Sequence, residues 1–121
     1  MSRSLPVPYR PLIVVAGLFG ALGVAAAARG SHGGDDNLGI AANFLLLHAP
    51  VLIGLSILAA SRMAVIAGAV LGLGVALFAG DLAMRAFTGN ALFPLAAPIG
   101  GGTMILGWIL VVVTGIVGRR A

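Results

Sequence analysis

Cysteine is absent from this 121-residue chain, and charged residues make up only 8% of it. Without thiols the protein has no disulfides, no thiolate-held zinc or iron–sulfur cluster, and no covalently attached haem. All seven basic residues are arginines, and they stand singly or in pairs near the ends of apolar stretches. That scatter argues against nucleic-acid binding, despite a formal net charge of +4.

Apolar residues are abundant instead, at 60% of the chain with a mean hydropathy of +1.16. Crossing a bilayer core of about 30 Å takes about 20 helical residues. The apolar stretches predict four spans, at residues 11–28, 38–60, 63–86 and 98–118. We therefore expect an all-α fold, a single-domain, antiparallel four-helix bundle with short loops that is integral to the membrane and surrounded by lipid. Little chain remains for a catalytic domain, so we expect no enzymatic activity.

The loops and their arginines predict the topology. Only Ser61-Arg62 separates the second and third spans, which predicts a tight antiparallel hairpin. Because cytoplasmic loops are enriched in basic residues, we expect a multi-pass protein of the cell (inner) membrane with both termini in the cytoplasm. The arginines on the predicted inner side are Arg3, Arg10, Arg62, Arg119 and Arg120, against Arg29 and Arg85 outside. A second interpretation takes residues 1–28 as a secretory signal, but that apolar run is long and its glycines suit helix packing.

Small residues recur at every fourth position of the third span, which predicts a nearly straight stripe buried against a neighbouring helix. The stripe comprises Ala64, Gly68, Gly72, Ala76 and Gly80. Such stripes can also form dimer faces, although packing within the chain is the favoured interpretation for a four-helix protein.

Two polar side chains lie well inside predicted spans. His48 precedes Pro50 by two residues, and proline leaves a backbone carbonyl without its usual donor. We expect a neutral histidine bonded to a carbonyl or to a neighbouring helix, with a proton-relay or ligand role as the alternative. Trp108 is deep in the fourth span, so its indole N–H should find a partner within the bundle.

Three further polar residues lie closer to the membrane surface. Asp81 and Arg85 are spaced i, i+4, which predicts an ion pair on one helix face. Asn43 is at a similar depth on the adjacent helix, so we predict an Asn43–Asp81 hydrogen bond. These groups either hold helices together or line a route for a solute.

The loops offer weaker candidates. His32, Asp35 and Asp36 carry metal-ligand chemistry, but their spacing matches no compact metal site, and we expect a solvated loop and no cofactor. Residues 87–97 are too apolar for an ordinary solvated loop and should lie at the membrane interface. Pro98 can begin the last span, and Gly100-Gly101-Gly102 allows a close backbone approach.

Four motifs in a fixed order resemble a known family. They are Gly17-Leu-Phe-Gly-Ala-Leu-Gly with His32, Leu47-His48-Ala, Leu77-Phe-Ala-Gly80-Asp-Leu, and Pro98-Ile-Gly-Gly101 with Gly107-Trp108. The chain resembles the small four-helix membrane proteins called domain of unknown function 423, which include YgdD-like and transmembrane protein 256-like proteins. The resemblance implies a four-span membrane protein without an established activity. It carries over His32, His48, Gly80, Pro98, Gly100, Gly101 and Trp108.

The chain departs from the family pattern where it is charged. Arg29 and Asp81 replace uncharged residues of that pattern, so these two positions and Arg85 are expected to be particular to this protein. Two classes of function remain. The preferred one is a structural or accessory protein that packs with itself or with a larger membrane complex, and the other is an oligomeric carrier or channel for protons, ions or small solutes.

Overall fold

Four long α-helices make up almost all of the computed structural model, which describes residues 7–33 and 36–117. They are α1 (Arg10–Gly33), α2 (Asp36–Ile57), α3 (Arg62–Thr88) and α4 (Ala96–Val117), and no strand occurs in the described ranges. Each helix contains an 18-residue window with a mean hydropathy of 2.0 to 2.3. All four are long and apolar enough to cross a membrane, which confirms the predicted all-α, four-span fold.

The helices differ from the predicted spans by a few residues at their ends. The largest difference is in α1, which continues past residue 28 to Gly33. A charge such as Arg29 disfavours burial in lipid but does not interrupt backbone hydrogen bonding, so the helix extends beyond the apolar run. Similarly, α4 begins at Ala96 rather than Pro98. Pro98 lies in its first turn, where the missing N–H has no partner to lose.

The predicted hairpin between α2 and α3 is confirmed, although its connection is residues 58–61, since α2 ends at Ile57 and Arg62 already belongs to α3. Its turn is tied by two backbone hydrogen bonds, from Leu58 N–H to the Leu55 carbonyl at 3.1 Å and from Ser61 N–H to the Leu58 carbonyl at 2.8 Å. The Ser61 hydroxyl then accepts from Ala64 N–H at 3.3 Å and caps the start of α3. This short connection places α2 and α3 side by side.

The central helix of the four is α3. It packs along its length against α2 and α4, whereas α1 packs mainly on α2 and meets α3 only narrowly. No Cα atom of α4 comes within 8 Å of α1 or α2 in the described part of the chain. Only 17% of the α4 membrane window is buried, against 44% for α2 and for α3. The bundle is therefore open, with α4 attached along one side.

The small-residue stripe on α3 is straight only in part. Ala64, Gly68 and Gly72 are buried as predicted, but Ala76 is exposed and Gly80 is half-buried. An α-helix turns about 100° per residue, so each step of four residues rotates the stripe by about 40° around the axis. The prediction of one nearly straight buried stripe was therefore wrong for its last two members.

Candidate functional site

His48 lies at the centre of a polar contact inside the bundle. Its side chain is 2% exposed, and Nδ1 lies 2.8 Å from the carbonyl oxygen of Phe44. A carbonyl can only accept, so Nδ1 carries the proton and Nε2 of the neutral ring is an acceptor. The indole Nε1–H of Trp108 donates to that Nε2 at 3.2 Å. Both ring nitrogens of His48 are thus occupied within the chain.

These contacts confirm the expected partners of His48 and Trp108. The carbonyl that His48 contacts belongs to Phe44, so it is a different one from the carbonyl of Leu46, whose usual donor Pro50 removes. Helical side chains point back towards the N-terminus, which brings the His48 ring to the carbonyl four residues earlier.

The Trp108 side chain connects two helices whose backbones stay apart. Although no Cα atoms of α2 and α4 approach within 8 Å, the indole of Trp108 crosses that gap to reach His48. Aromatic packing supports the contact, because the His48 and Phe44 rings stack and Phe44 lies 4.7 Å from Phe78 of α3 between ring centroids. Trp108 itself remains 40% exposed. It therefore acts as a side-chain bridge at the open edge of the bundle.

Asp81 forms a second polar network near the end of α3. Its buried carboxylate accepts from Arg85 Nε at 2.9 Å, which confirms the predicted i, i+4 ion pair. The other oxygen accepts from the backbone N–H of Leu92 at 2.7 Å. One carboxylate thereby fastens the α3–α4 loop onto α3. Sequence reasoning missed this bond, because a backbone donor in a loop leaves no pattern of side chains.

The predicted Asn43–Asp81 hydrogen bond does not form. Both oxygens of Asp81 have the partners just described, and Asn43 is exposed on the side of α2 that faces α1. Equal depth on neighbouring helices does not imply that two side chains face each other. Asn43 instead lines an open cleft of about 610 Å³ between α1 and α2, together with Ser31 and Asp36.

Glycines bring α3 and α4 into backbone contact. A β-carbon at Gly100 would lie 2.6 Å from the backbone nitrogen of Phe78 and 3.0 Å from the carbonyl oxygen of Gly74. A β-carbon at Gly74 would in turn lie 2.7 Å from the backbone nitrogen of Met104. Only glycine permits this separation, so the close approach predicted for Gly100 is confirmed.

The predicted Gly68 and Gly72 pair faces α1 and α2. A β-carbon at Gly68 would lie 2.6 Å from Cδ1 of Leu12 on α1. At Gly72 the nearest atoms belong to Val15 of α1 and Leu52 of α2, at 3.7 and 3.8 Å. Both glycines therefore serve packing within the chain, as the favoured interpretation predicted.

The remaining predicted residues do not join these clusters. Gly80 and Gly101 would gain a β-carbon with no neighbouring atom within 4 Å, and Pro98 is exposed in the first turn of α4.

His32 and Asp36 are exposed at the facing ends of α1 and α2, while Asp35 lies outside the described residues. Among the residues that the structure describes, no three His, Asp or Glu side chains group as metal ligands.

Arg29, near the end of α1, contacts α3. Its guanidinium carbon lies 5.5 Å from the ring centroid of Phe87, a cation–π distance. Two cavities adjoin this pair, of about 320 Å³ and 150 Å³, and both are lined in part by Arg29, Leu38 and Phe87. No sequence pattern predicted the Arg29–Phe87 contact, because the two residues lie on different helices.

A family model described as protein of unknown function (DUF423) matches residues 16–101. The chain belongs to this family. The match runs from the first half of α1 to the start of α4, so it includes His48, Asp81 and Gly100, whereas Trp108 lies beyond it. No solved structure matches the chain. The family resemblance drawn from the motifs is thereby confirmed, and it brings no established activity with it.

Proposed function

We propose that the protein is a non-enzymatic structural or accessory component of the membrane that associates with itself or with a larger membrane complex. One observation carries the proposal. In the described ranges, every buried side-chain nitrogen or oxygen has a hydrogen-bond partner within the chain. His48 and Asp81, the polar groups best suited to handle a proton or an ion, have all their bonding atoms occupied by neighbours.

This saturation favours a structural role because transport or catalysis requires groups that exchange partners. A buried polar group that is fully bonded fixes the positions of the helices it joins. The outer face of α4 adds to the argument, since it is apolar and open and can pack against another membrane helix. Its exposed residues include Ile105, Ile109, Val112 and Ile116.

A flux assay tests the proposal. Purified protein in liposomes loaded with a pH-sensitive dye should pass protons no faster than protein-free liposomes under a potassium diffusion potential. A flux that His48→Ala abolishes would contradict the structural role. His32→Ala is the matched control, because His32 is exposed at a helix end and lies outside the His48–Trp108 contact.

Extraction in mild detergent tests the partnership. We expect the tagged protein to retain a stoichiometric membrane-protein partner, or a second copy of itself, through size-exclusion chromatography. A monomer that carries only lipid and detergent would argue against this part of the proposal. Mass spectrometry of the retained material distinguishes self-association from a larger complex.

A carrier or channel formed by an oligomer is the second candidate, and one observation favours it. Asn43 is exposed two turns inside α2, where a polar side chain is unfavourable against lipid, and it lines the open cleft between α1 and α2. An oligomer could close that cleft into a polar route. Asn43→Leu should then abolish solute flux, whereas under the structural role it should leave the liposomes as tight as before.

For location, we propose the inner membrane with both chain ends in the cytoplasm. Successive antiparallel helices bring the start of α1 and the end of α4 to one side, which is also the side of the α2–α3 turn and of Arg62, the first residue of α3. The backbone N–H of Tyr9 donates to the carbonyl of Ser56 at 2.9 Å, which joins the residue just before α1 to the end of α2. Fluorescent-protein fusions at either end should be bright, and alkaline phosphatase fusions inactive. Phosphatase activity at either end would contradict this topology.

A further inference from the structure

An apolar cavity of about 320 Å³ lies between α1, α2 and α3, towards the end of the bundle that carries the α1–α2 and α3–α4 loops. Its walls include Leu22 of α1, Leu45 of α2 and Ala83 of α3, and it is open on one side. Among the described residues, Arg29 is the one charged side chain that lines it. The volume is about twice that of the ~150 Å³ protein cavity known to hold benzene, so a segment of acyl chain fits.

The smaller cavity of about 150 Å³ continues the first one towards the membrane surface. It shares Arg29 and Phe87 with the larger cavity and adds Gly33, the last residue of α1. Leu22 and Gly33 are separated by about 16 Å along a helix that rises about 1.5 Å per residue. The two cavities together therefore reach from the hydrocarbon region to the level of lipid headgroups, with Arg29 at the junction.

Arg29 is available to bind an anion at that junction. Its side chain is exposed, and the ion pair formed among the described residues joins Asp81 to Arg85, not to Arg29. The guanidinium lies over the Phe87 ring, which orients the group while leaving N–H donors in its plane for oxygen atoms. Guanidinium groups match phosphate oxygens in charge and in geometry.

We propose that the two cavities and Arg29 form a binding site for one anionic phospholipid, with its phosphate on Arg29 and part of one acyl chain in the larger cavity. In a membrane, the open side of the larger cavity faces lipid hydrocarbon. An acyl chain is therefore the group that is available to fill it. A fixed positive charge at headgroup level then selects an anionic lipid over a zwitterionic one. This inference goes beyond the proposed function and does not depend on it.

Native mass spectrometry of the full-length protein in detergent tests the headgroup. The probe is an equimolar mixture of phosphatidylglycerol and phosphatidylcholine with identical acyl chains. We expect one phosphatidylglycerol to be retained preferentially, and Arg29→Gln to lower that preference about tenfold, the scale of one charge-assisted contact. Arg10→Gln is the matched control, since it removes the same charge from the opposite end of α1 and should keep the preference.

Filling the cavity tests the acyl chain. Ala83→Leu adds three carbons to the cavity wall on α3 and should reduce retention of both lipids severalfold. Ala69→Leu makes the same change on an exposed part of α3 and should have no effect. If Ala83→Leu fails to fold, Ala25→Leu introduces the same side chain from the exposed wall of α1.

Three results would overturn the proposal. One is equal retention of the two lipids by the wild type, and another is an Arg29→Gln variant that behaves like Arg10→Gln. The third is displacement of the lipid by millimolar inorganic phosphate, which would indicate an anion site that does not use the cavity. The flux and partner assays described above do not affect any of these results.

Discussion

The two sides of α3 both depend on glycine, but the glycines meet different neighbours. Towards α4, added β-carbons at Gly74 and Gly100 would strike backbone atoms at 2.6 to 3.0 Å. Towards α1, an added β-carbon at Gly68 would strike the end of the Leu12 side chain at 2.6 Å. The distances are similar on the two sides. However, the backbone atoms on the α4 side cannot easily move, whereas the Leu12 side chain can.

This difference matters because a helix backbone is fixed by its own hydrogen bonds, while a leucine side chain can change rotamer. An intrusion at Gly74 or Gly100 must therefore separate two helices. On the α1 side, one side chain can shift within its surroundings. The comparison indicates that the stability lost when a glycine is replaced depends on the rigidity of the group it faces. Substitutions to alanine measure that loss.

The largest effect is expected for Gly100→Ala. The new methyl group would meet the backbone of Phe78 and Gly74, so α4 must move away from α3. Overpacking typically destabilises by about 1–3 kcal/mol, and a rigid backbone places this substitution near the upper end. The free energy of unfolding, measured by circular dichroism during SDS titration in mixed micelles, should fall by about 2 kcal/mol after the small gain in helix propensity.

Gly101→Ala is the matched control, because the adjacent position has no atom within 4 Å of an added β-carbon. It should leave the free energy of unfolding unchanged or raise it by up to about 1 kcal/mol, because alanine has a higher helix propensity than glycine. Equal losses of unfolding free energy in Gly100→Ala and Gly101→Ala would mean that the close backbone contact at Gly100 does not stabilise the packing of α4 on α3.

Trp108→Phe tests the other attachment of α4. Phenylalanine keeps the aromatic ring but removes the N–H, so Nε2 of the buried His48 loses its donor. An unsatisfied buried group costs about 1–3 kcal/mol, and the exposure of Trp108 suggests the lower half of that range. In the same titration, Trp108→Phe and His48→Phe should each destabilise, and the double variant should lose much less than the sum. Strict additivity would show that the bond contributes nothing.

A smaller loss is expected for Gly68→Ala on the α1 side. The added methyl group would press on Leu12, which can rotate, so the free energy of unfolding should fall by less than about 1 kcal/mol. Leu12→Ala costs stability by itself because Leu12 is buried, but in that background Gly68→Ala should be neutral or stabilising. A loss as large as that of Gly100→Ala would remove the distinction between the two sides.

Much of the fold, and less of the site, was predictable from sequence. Long apolar runs and a short predicted connection were enough for four spans and the α2–α3 hairpin, since lipid imposes helix length and short loops impose antiparallel packing. The i, i+4 pair of Asp81 and Arg85 was predictable because one helix fixes both positions. The Asn43–Asp81 bond failed because depth on two helices says nothing about their rotation. The contact of Leu92 with Asp81 depends on the path of the α3–α4 loop, and the contact of Phe87 with Arg29 depends on helix rotation. No pattern in the sequence encodes either one.

The small-residue stripe illustrates the same limit and leads to the smallest expected effect. Gly80 belongs to the stripe by spacing, yet the rotation of about 40° per step carries it away from the buried face. Gly80→Ala meets no atom within 4 Å and gains helix propensity, so the free energy of unfolding should stay unchanged or rise by up to about 1 kcal/mol. A clear loss in the monomeric protein would mean that the α3 stripe is continuous after all. A loss seen only in an oligomer would identify Gly80 as a contact between copies. Measuring the free energy of unfolding at low and at high ratios of protein to micelle separates these two outcomes.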